Sequence, residues 1–232
     1  MVLRKWEDIP DFMKCDEVRP YYNILNKRRG QLLVKRIFDV VIALVLLTVL
    51  AIPMFVIALL IKIDSSGPVF FRQERVTTYG RMFRIHKFRT MVNNAENLGA
   101  GVTVKGDIRI TRIGKTLRKF RIDEMPQLFD VLEGTMSFVG TRPETPRYVA
   151  QYTKEMYATL LMPAGITSEA SIRYKDESKL LNDAYNVDQV YIKQVLPAKM
   201  IWNLESIQQF GLIREILTMF RTVATIMGKN YT

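Results

Sequence analysis

Asp123 and Glu124 form an adjacent pair of carboxylates that directly follows a cluster of cations. The cations of this cluster are Arg109, Arg112, Lys115, Arg118, Lys119 and Arg121. An ionised aspartate can attack phosphorus or bind Mg²⁺, and several arginines and lysines can neutralise a diphosphate. Because opposite charges lower the pKa of a carboxyl group, we expect Asp123 to have a lowered pKa and to be anionic at neutral pH. The pattern therefore suits phosphate chemistry.

The same pair also has a purely structural interpretation. Pro126 fits the first turn of a helix and Gly134 fits its end, so Asp123 and Glu124 would lie at a helix N-terminus. Acidic residues at that position commonly cap the helix and complement its dipole. From these residues alone, capping is the more ordinary explanation and catalysis is the alternative.

The net charge of +11 is unevenly distributed along the chain. Residues 1–36 have a net charge of +4, residues 62–122 of +10 and residues 123–232 of −2, whereas residues 37–61 contain Asp39 as their single charged residue. A basic protein first suggests nucleic acid or an acidic membrane as its partner. Two basic segments that flank one apolar segment favour the membrane.

The apolar segment, Ile37 to Ile61, would form a helix roughly 37 Å long, enough to cross a hydrocarbon core of about 30 Å. A buried core helix is the less favoured alternative, because soluble helices rarely stay apolar on every face. Basic residues flank both ends, and Pro53 removes a backbone donor, which predicts a kink. A re-entrant helix with both ends in the cytoplasm fits slightly better than a full span, and both remain open. In either case we expect Asp39 to lie among the lipid head groups.

The segments after the membrane helix predict mixed structure. Residues 68–76 and 81–91 are β-rich and flank a short loop that ends in Gly80, which predicts a hairpin. The sequence becomes helical after Ser178, and Pro197 breaks or begins a helix there. Large apolar side chains in these helices either pack in the core or lie on the membrane surface; they include Trp202, Phe210 and Phe220.

Composition excludes several other classes of protein. At 48% hydrophobic residues the chain is too apolar to be disordered. Cys15 is the single cysteine and His86 the single histidine, so a disulfide framework and a Cys/His zinc cluster are both excluded.

Longer motifs around these residues carry a resemblance to a known family. In chain order they are KRIFD (35–39), GPVFFRQERV (67–76), KFRTM (87–91), residues 107–144 with IDEMPQLFDVLEGTMSFVGTRPE, and more weakly PAGIT (163–167). Over about residues 34–180 the chain resembles the bacterial sugar transferase family, the monotopic phosphoglycosyl transferases. Several unusual motifs in the right order make this resemblance specific.

The resemblance implies a reaction. Such enzymes move a sugar 1-phosphate from a UDP-sugar to polyprenyl (undecaprenyl) phosphate and release UMP, as the first membrane step of glycan assembly. The resemblance also implies Mg²⁺ as the cofactor, with Asp123 and Glu124 as its ligands. Asp123 would be the nucleophile that forms a covalent phosphosugar intermediate, and Glu124 would either support the metal or accept a proton.

The resemblance also implies further site residues and a location. Arg118, Lys87, Arg142 and Arg89 would bind the donor substrate, and Pro53 would bend a re-entrant membrane helix. The enzyme would lie at the cytoplasmic face of the bacterial inner membrane, with the phospholipid bilayer as a partner, without nucleic acid, and in a form compatible with a homodimer.

The prediction is an α+β fold, predominantly helical. A kinked, non-spanning membrane helix would cover residues 34–62, a small catalytic domain with a β-hairpin residues 63–180, and core-packed or interfacial helices residues 181–232. Residues 1–33, which have no counterpart in minimal family members, are expected to be an amphipathic or loosely ordered cytoplasmic extension.

Some positions depart from the family pattern, and two other functions remain as alternatives. Ile52 replaces a serine before the bending proline, Thr141 replaces a proline of VGPRP, and PGITG gains Ala164 and has Ser168 in place of glycine. These changes bear on the identity of the donor sugar.

The alternative functions are a membrane-tethered protein that binds anionic lipid or nucleic acid, and a non-catalytic family scaffold. No nucleic-acid module is recognisable in the sequence.

Overall fold

The computed structural model describes residues 3–95, 107–174 and 186–226. The described α-helices are α1 (Arg19–Lys27), α2 (Arg29–Asp64), α3 (Arg112–Lys119), α4 (Gln127–Glu133), α5 (Pro146–Val149), α6 (Glu169–Arg173), α7 (Val187–Val190), α8 (Leu196–Gln208) and α9 (Leu212–Ile226). The strands are β1 (Phe70–Val76), β2 (Met82–Phe88), β3 (Met136–Val139) and β4 (Ala164–Thr167). The described chain is therefore mixed α and β and mostly helical, as predicted.

Helix α2 contains the whole apolar segment and is 36 residues long. It is long and apolar enough to cross a membrane, and only 11% of its most apolar window is buried. Large apolar side chains such as Leu44, Val49 and Phe55 are exposed along it. The structure therefore contradicts the alternative of a buried core helix, because a core helix would be covered by the rest of the protein. The helix runs through Pro53 without a break in its secondary structure.

One side of α2 packs against the rest of the protein along its whole length. Before Pro53, Ala43 joins a cluster with residues of α4 and β3. Near its end Met54 and Ile61 pack against Phe88 of β2 and Leu117 of α3. Both parts of the helix, before and after Pro53, are thus attached to the same folded domain.

Strands β1 and β2 form the predicted antiparallel hairpin, with Phe70 opposite Phe88 and Val76 opposite Met82. The loop between them reverses direction at Tyr79 and Gly80, which both have positive φ. Lys87 is one residue from the open end of the hairpin, and its side chain contacts Glu124 of the 3₁₀ turn Ile122–Glu124.

Strands β3 and β4 form a parallel pair that the sequence analysis does not predict. Gly140 and Gly165 allow the two chains to approach closely, because a Cβ atom on Gly165 would overlap the backbone of Gly140. The segment that carries Arg142 follows β3 directly after this contact. The pairing of β3 with β4 therefore fixes the position from which this segment starts.

Residues 3–27 are part of the folded core. Leu3, Met13 and Leu25 are fully buried and share a cluster with Leu161 and Phe210. Of the two expectations for this extension, loose order is contradicted over the described residues, because these apolar side chains are covered by the 3₁₀ segment Glu155–Leu161 and by α8. Helix α1 is amphipathic, as the other expectation states, since it buries Tyr22 and Leu25 and exposes Asn23.

The C-terminal helices divide between the two predicted environments. Helix α8 begins at Leu196 with Pro197 in its first turn, and its buried face packs in the core. Helix α9 instead exposes apolar side chains at helical spacing, namely Ile213, Leu217, Phe220 and Val223. Phe210, between the two helices, is buried, whereas Phe220 is exposed. Core packing therefore applies to α8, and an uncovered apolar face to α9.

Candidate active site

Two predicted site residues, Lys87 and Arg142, contact the carboxylate of a third, Glu124. Lys87 comes from the end of β2, Glu124 from the 3₁₀ turn before α4, and Arg142 from the segment after β3. Oε1 of Glu124 accepts a hydrogen bond from Nζ of Lys87 at 3.0 Å and another from Nη2 of Arg142 at 2.6 Å. The fold thus brings together three residues that are distant in the sequence.

The environment of Glu124 favours its charged form. The residue is only 8% exposed, and burial by itself would raise its pKa. Arg142 and Lys87 outweigh burial and hold the pKa of Glu124 well below its usual range. In the same cluster, burial lowers the pKa of Lys87, although Glu124 acts in the opposite direction.

Asp123, in contrast, has a carboxylate that accepts no hydrogen bond from any other described residue. Burial and the neighbouring charge of Glu124 raise its pKa, while Lys87 and Arg118 oppose this rise. The prediction of a lowered pKa for Asp123 is therefore wrong in direction, because the sequence does not reveal that Asp123 is largely buried beside the charge of Glu124.

The capping interpretation of the pair is not observed. Helix α4 begins after Pro126 and ends at Gly134, which has positive φ, so the predicted bounds are confirmed. No side chain caps its N-terminus by a hydrogen bond. Asp123 and Glu124 lie one turn earlier, in the 3₁₀ turn Ile122–Glu124, and Glu124 is engaged by Lys87 and Arg142 instead.

Arg118 interacts electrostatically with Asp123. It belongs to α3, which Thr111 caps by accepting a hydrogen bond from the Gly114 N–H. Burial lowers the pKa of Arg118, while Asp123 and Asp107 raise it. Within the described residues the guanidinium makes no hydrogen bond. Arg118 is thus a partly buried cation held near the Asp123 carboxylate by charge.

Two site residues were missed by the sequence analysis. Nη1 of Arg75, on β1, donates to the backbone oxygen of Pro143 at 3.1 Å, next to Arg142. The backbone oxygen of Glu144 accepts from the Val76 N–H at 2.9 Å, and its side chain accepts from the Tyr191 hydroxyl at 2.6 Å. These contacts hold the segment that carries Arg142. Both residues belong to motifs that carry the family resemblance, and this membership is the sequence feature that could have identified them.

Arg89 lies away from this cluster. Its Nη2 donates to the Ser65 backbone oxygen at 2.6 Å and to Oγ of Ser65 at 2.9 Å, at the end of α2. Gly67 leaves room for the guanidinium, because a Cβ atom there would overlap it. Arg89 therefore fastens the end of the membrane helix, and this geometry does not support its predicted contact with the donor.

His86, Asp130 and Glu133 bring potential metal ligands within 4.8 Å of one another. Nε2 of His86 accepts from Nη1 of Arg72 at 2.5 Å, so Nδ1 carries the proton and donates to Oδ1 of Asp130 at 2.7 Å. Both ring nitrogens are then occupied by hydrogen bonds. The group is a structural link between β2 and α4 rather than a metal site.

The KRIFD motif fastens the beginning of the membrane helix. Arg36 donates to the backbone oxygens of Val131 at 2.5 Å and Leu132 at 2.9 Å, at the end of α4. Asp39 is 3% exposed and accepts from Oγ of Ser137 at 2.8 Å. The expectation that Asp39 lies among lipid head groups is wrong, because β3 covers it.

Comparisons with known proteins agree with the motifs. The family model described as bacterial sugar transferase matches residues 30–229. A UDP-N-acetylgalactosamine-undecaprenyl-phosphate N-acetylgalactosaminephosphotransferase of Aeromonas hydrophila is 38% identical over 198 residues, which are 84% of this chain and 44% of that protein. A putative undecaprenyl-phosphate N-acetylgalactosaminyl 1-phosphate transferase of Bacillus subtilis (strain 168) is 39% identical over 160 residues, 68% of this chain and 87% of its own length.

A third relative carries a different sugar in its name. A UDP-glucose:undecaprenyl-phosphate glucose-1-phosphate transferase of Caulobacter vibrioides is 33% identical over 196 residues, 83% of this chain and 69% of that protein. The chain thus spans less than half of the Aeromonas relative and more than two thirds of the other two. Undecaprenyl phosphate is common to the three names, whereas the sugar is not.

Proposed function

The chain belongs to the bacterial sugar transferase family, and on this premise we propose that it is a phosphoglycosyl transferase. It moves a sugar 1-phosphate from a UDP-sugar to undecaprenyl phosphate and releases UMP, as the first membrane step of glycan assembly. The observation that supports this most directly is an Asp123 carboxylate without a hydrogen bond among the described residues, next to a Glu124 that is paired with Lys87 and Arg142.

The reaction proceeds in two displacements at one phosphorus atom. A carboxylate oxygen of Asp123 attacks the β-phosphorus of the UDP-sugar, the bond to the bridging oxygen breaks, and UMP leaves with the electron pair. An oxygen of undecaprenyl phosphate then attacks the same phosphorus. The bond to Asp123 breaks, which restores the carboxylate and gives the undecaprenyl diphosphate sugar.

Glu124 acts as an organiser rather than a general base. Its pKa is held well below the usual range by Arg142 and Lys87, and a carboxylate with a low pKa is a weak base. A phosphate monoester has its second pKa near 6, so the acceptor is largely deprotonated at neutral pH and needs no base. Glu124 instead fixes Lys87 and Arg142, which are placed to bind the phosphates of the donor.

The carboxylates of this site fit Mg²⁺. Among the described residues, the Asp123 oxygens accept no hydrogen bond, and Oε2 of Glu124 has one ion-pair contact, with Nη1 of Arg121 at 4.0 Å. Mg²⁺ is commonly held by one or two carboxylates together with substrate phosphates, so these oxygens would hold it. When bound, the ion would neutralise charge on the diphosphate. Arg118 supplies positive charge from the protein itself.

An intact mass measurement tests the covalent step. Incubation with a UDP-sugar and no acceptor should add the mass of one sugar phosphate to the protein, and digestion should place it on Asp123. Asp123→Asn should lose the adduct, whereas Asp11→Asn, at an exposed carboxylate, should keep it. Rapid turnover by Asp123→Asn would refute the nucleophile. Parallel reactions with a panel of UDP-sugars would identify the donor by UMP release.

We further propose that α2 is re-entrant at the cytoplasmic face of the inner membrane. The support is that both of its ends bind the same domain: Arg36 donates to the end of α4, and Oδ2 of Asp64 accepts from the Ile113 N–H of α3 at 3.0 Å. A straight span would carry one end away from that domain across the bilayer. The exposed apolar face of α9 is suited to lie in the same interface.

Single-cysteine labelling tests this topology. On a Cys15→Ser background, Lys27→Cys and Ser66→Cys place exposed thiols just before and just after α2. With a membrane-impermeant maleimide, both should react only after spheroplasts are permeabilised. Labelling of one of them in intact spheroplasts would show a spanning helix.

A further inference from the structure

An apolar cavity lies directly beside the carboxylate pair. Its volume is about 240 Å³, and its walls include Leu46 and Leu50 of α2, Phe138 of β3 and Ile172 of α6. Glu124 is one of the residues that line it. The cavity therefore connects the surface of the membrane helix with the site at which phosphate chemistry is proposed.

The walls of the cavity select an apolar occupant. The hydroxyl groups of its lining are already hydrogen-bonded within the protein: Thr167 to Thr222 at 2.7 Å, Ser171 to Ser168 at 3.0 Å, and Thr225 to the backbone oxygen of Arg221 at 2.8 Å. A sugar or a nucleotide would have to compete with these bonds to satisfy its own polar groups, whereas an apolar chain needs no such partners. An apolar cavity of about 150 Å³ is enough to hold benzene. The cavity next to Glu124 is larger and so has room for at least one five-carbon isoprene unit.

Arg121 is the cation that lines this cavity among the described residues. Its side chain is 40% exposed, and its Nη1 is 4.0 Å from Oε2 of Glu124. Its backbone is left-handed, with φ 54°, a conformation that is unfavourable for a residue with a side chain. Strained residues of this kind concentrate at functional sites. A guanidinium at the mouth of an apolar cavity complements a phosphate attached to an apolar chain.

Two of the elements that form the cavity also expose apolar surface outside it. Helix α2 lines it with Leu46 and exposes Val45 and Val49, and α9 lines it with Thr222 and exposes Val223. Exposed apolar surface therefore lies next to cavity-lining residues on both helices.

We infer that this cavity receives the first isoprene units of the acceptor and that Arg121 binds its phosphate. The inference rests on the proposed function and adds a specific place for the lipid. It also separates the tasks of two neighbouring arginines: Arg118 serves the donor and Arg121 the acceptor. The acceptor phosphate then lies on the cavity side of the pair, where it can attack the phosphorus held by Asp123.

A matched pair of substitutions tests the cavity. Leu46→Trp fills it, whereas Leu44→Trp, on the exposed face of the same helix, does not. With Leu46→Trp, the single-turnover release of UMP without acceptor should stay at the wild-type rate, while the KM for undecaprenyl phosphate should rise at least tenfold. Leu44→Trp should leave both unchanged. An unchanged KM in a folded Leu46→Trp variant would overturn the inference.

A second pair tests Arg121. Arg121→Gln should raise the KM for undecaprenyl phosphate about tenfold and leave UMP release without acceptor intact. Arg112→Gln, which removes an exposed cation of α3, should change neither. Equal losses in both half-reactions for Arg121→Gln would show a role in the donor site or in folding instead.

Photo-cross-linking of the wild-type protein needs no substitution. A prenyl phosphate with a diazirine on its first isoprene unit should label residues of the cavity, and undecaprenyl phosphate should compete with it. Equal competition by phosphatidylglycerol, or labels confined to the exposed face of α2, would overturn the inference. Failure of the proposed function can be told apart from failure of this inference. Absence of UMP release with every UDP-sugar would refute the proposed function, whereas the labelling experiment reports on the cavity alone.

Discussion

Removal of the Asp39 carboxylate should weaken the attachment of the first part of α2 to β3. Asp39 is buried and accepts hydrogen bonds from Oγ of Ser137 at 2.8 Å and from the Phe138 N–H at 3.4 Å. Nζ of Lys35 is 3.7 Å from its Oδ2, and Lys35 also contacts Glu215 of α9. Asp39→Ala would leave the Ser137 hydroxyl and part of the Lys35 charge without a partner inside the protein.

The expected loss follows from these contacts. Breaking a buried ion pair by removing one partner costs about 3–5 kcal/mol. Because Lys35 keeps Glu215 as a second partner, we expect the lower end, about 3 kcal/mol. A chain of this size loses about 2–4 °C in Tm for each kcal/mol, so Asp39→Ala should lower the Tm by about 6–12 °C. Asp39→Asn should lose less, since its amide oxygen can still accept from Ser137.

Thermal unfolding in detergent micelles, followed by tryptophan fluorescence, measures this loss. Thr48→Ala is the control, because Thr48 is exposed on the same helix and its hydroxyl donates only to its own helix, at Leu44. It should shift the Tm by less than about 1 °C, since surface substitutions usually stay within about 0.5 kcal/mol. A Tm for Asp39→Ala within 2 °C of the control would refute the reasoning and place Asp39 in contact with water or head groups.

Three further outcomes are expected. Lys87→Met should slow UMP release without acceptor by about 10²–10³-fold, because one charge-stabilising donor is lost, whereas Lys115→Met on the exposed face of α3 should not. Gly165→Ala should lower stability by about 1–3 kcal/mol because its Cβ overlaps the facing strand, while Gly30→Ala, in open space on α2, should be neutral or stabilising in the same unfolding assay. Burial raises the pKa of Glu215 from 4.5 to about 7, so the wild type should lose stability as the pH rises through that window. The Tm of Glu215→Gln relative to wild type should therefore increase between pH 4.5 and 7, and a constant difference would contradict this.

Local patterns were enough to predict several elements. The hairpin followed from two β-rich runs around a short loop ending in Gly80, and α4 followed from Pro126 and Gly134. These features depend on backbone preferences of single residues and on contacts between near neighbours, so the sequence contains them directly. The parallel pair β3–β4 was not predicted, because its strands are short and its pairing depends on a close approach at Gly140 that no local pattern reports.

The candidate site shows the same division. Motifs singled out Asp123, Glu124, Lys87 and Arg142, and the fold brings the last three into direct contact. Arg89 was grouped with them because it is a cation of the KFRTM motif, yet it binds the end of α2. Charge is a property of a residue type, whereas the partner of that charge depends on where other elements place it.

The sequence by itself determined that the chain has one apolar helix between basic segments and a carboxylate pair preceded by cations. Those features are set by residue type and order. Only the tertiary structure decided that Glu124 takes Lys87 and Arg142 and that Asp123 is left with a raised pKa. It also decided that both ends of α2 bind one domain, beside an apolar cavity. The physical reason is that burial and distance set the strength of a charge, and both arise from contacts between residues far apart in the chain.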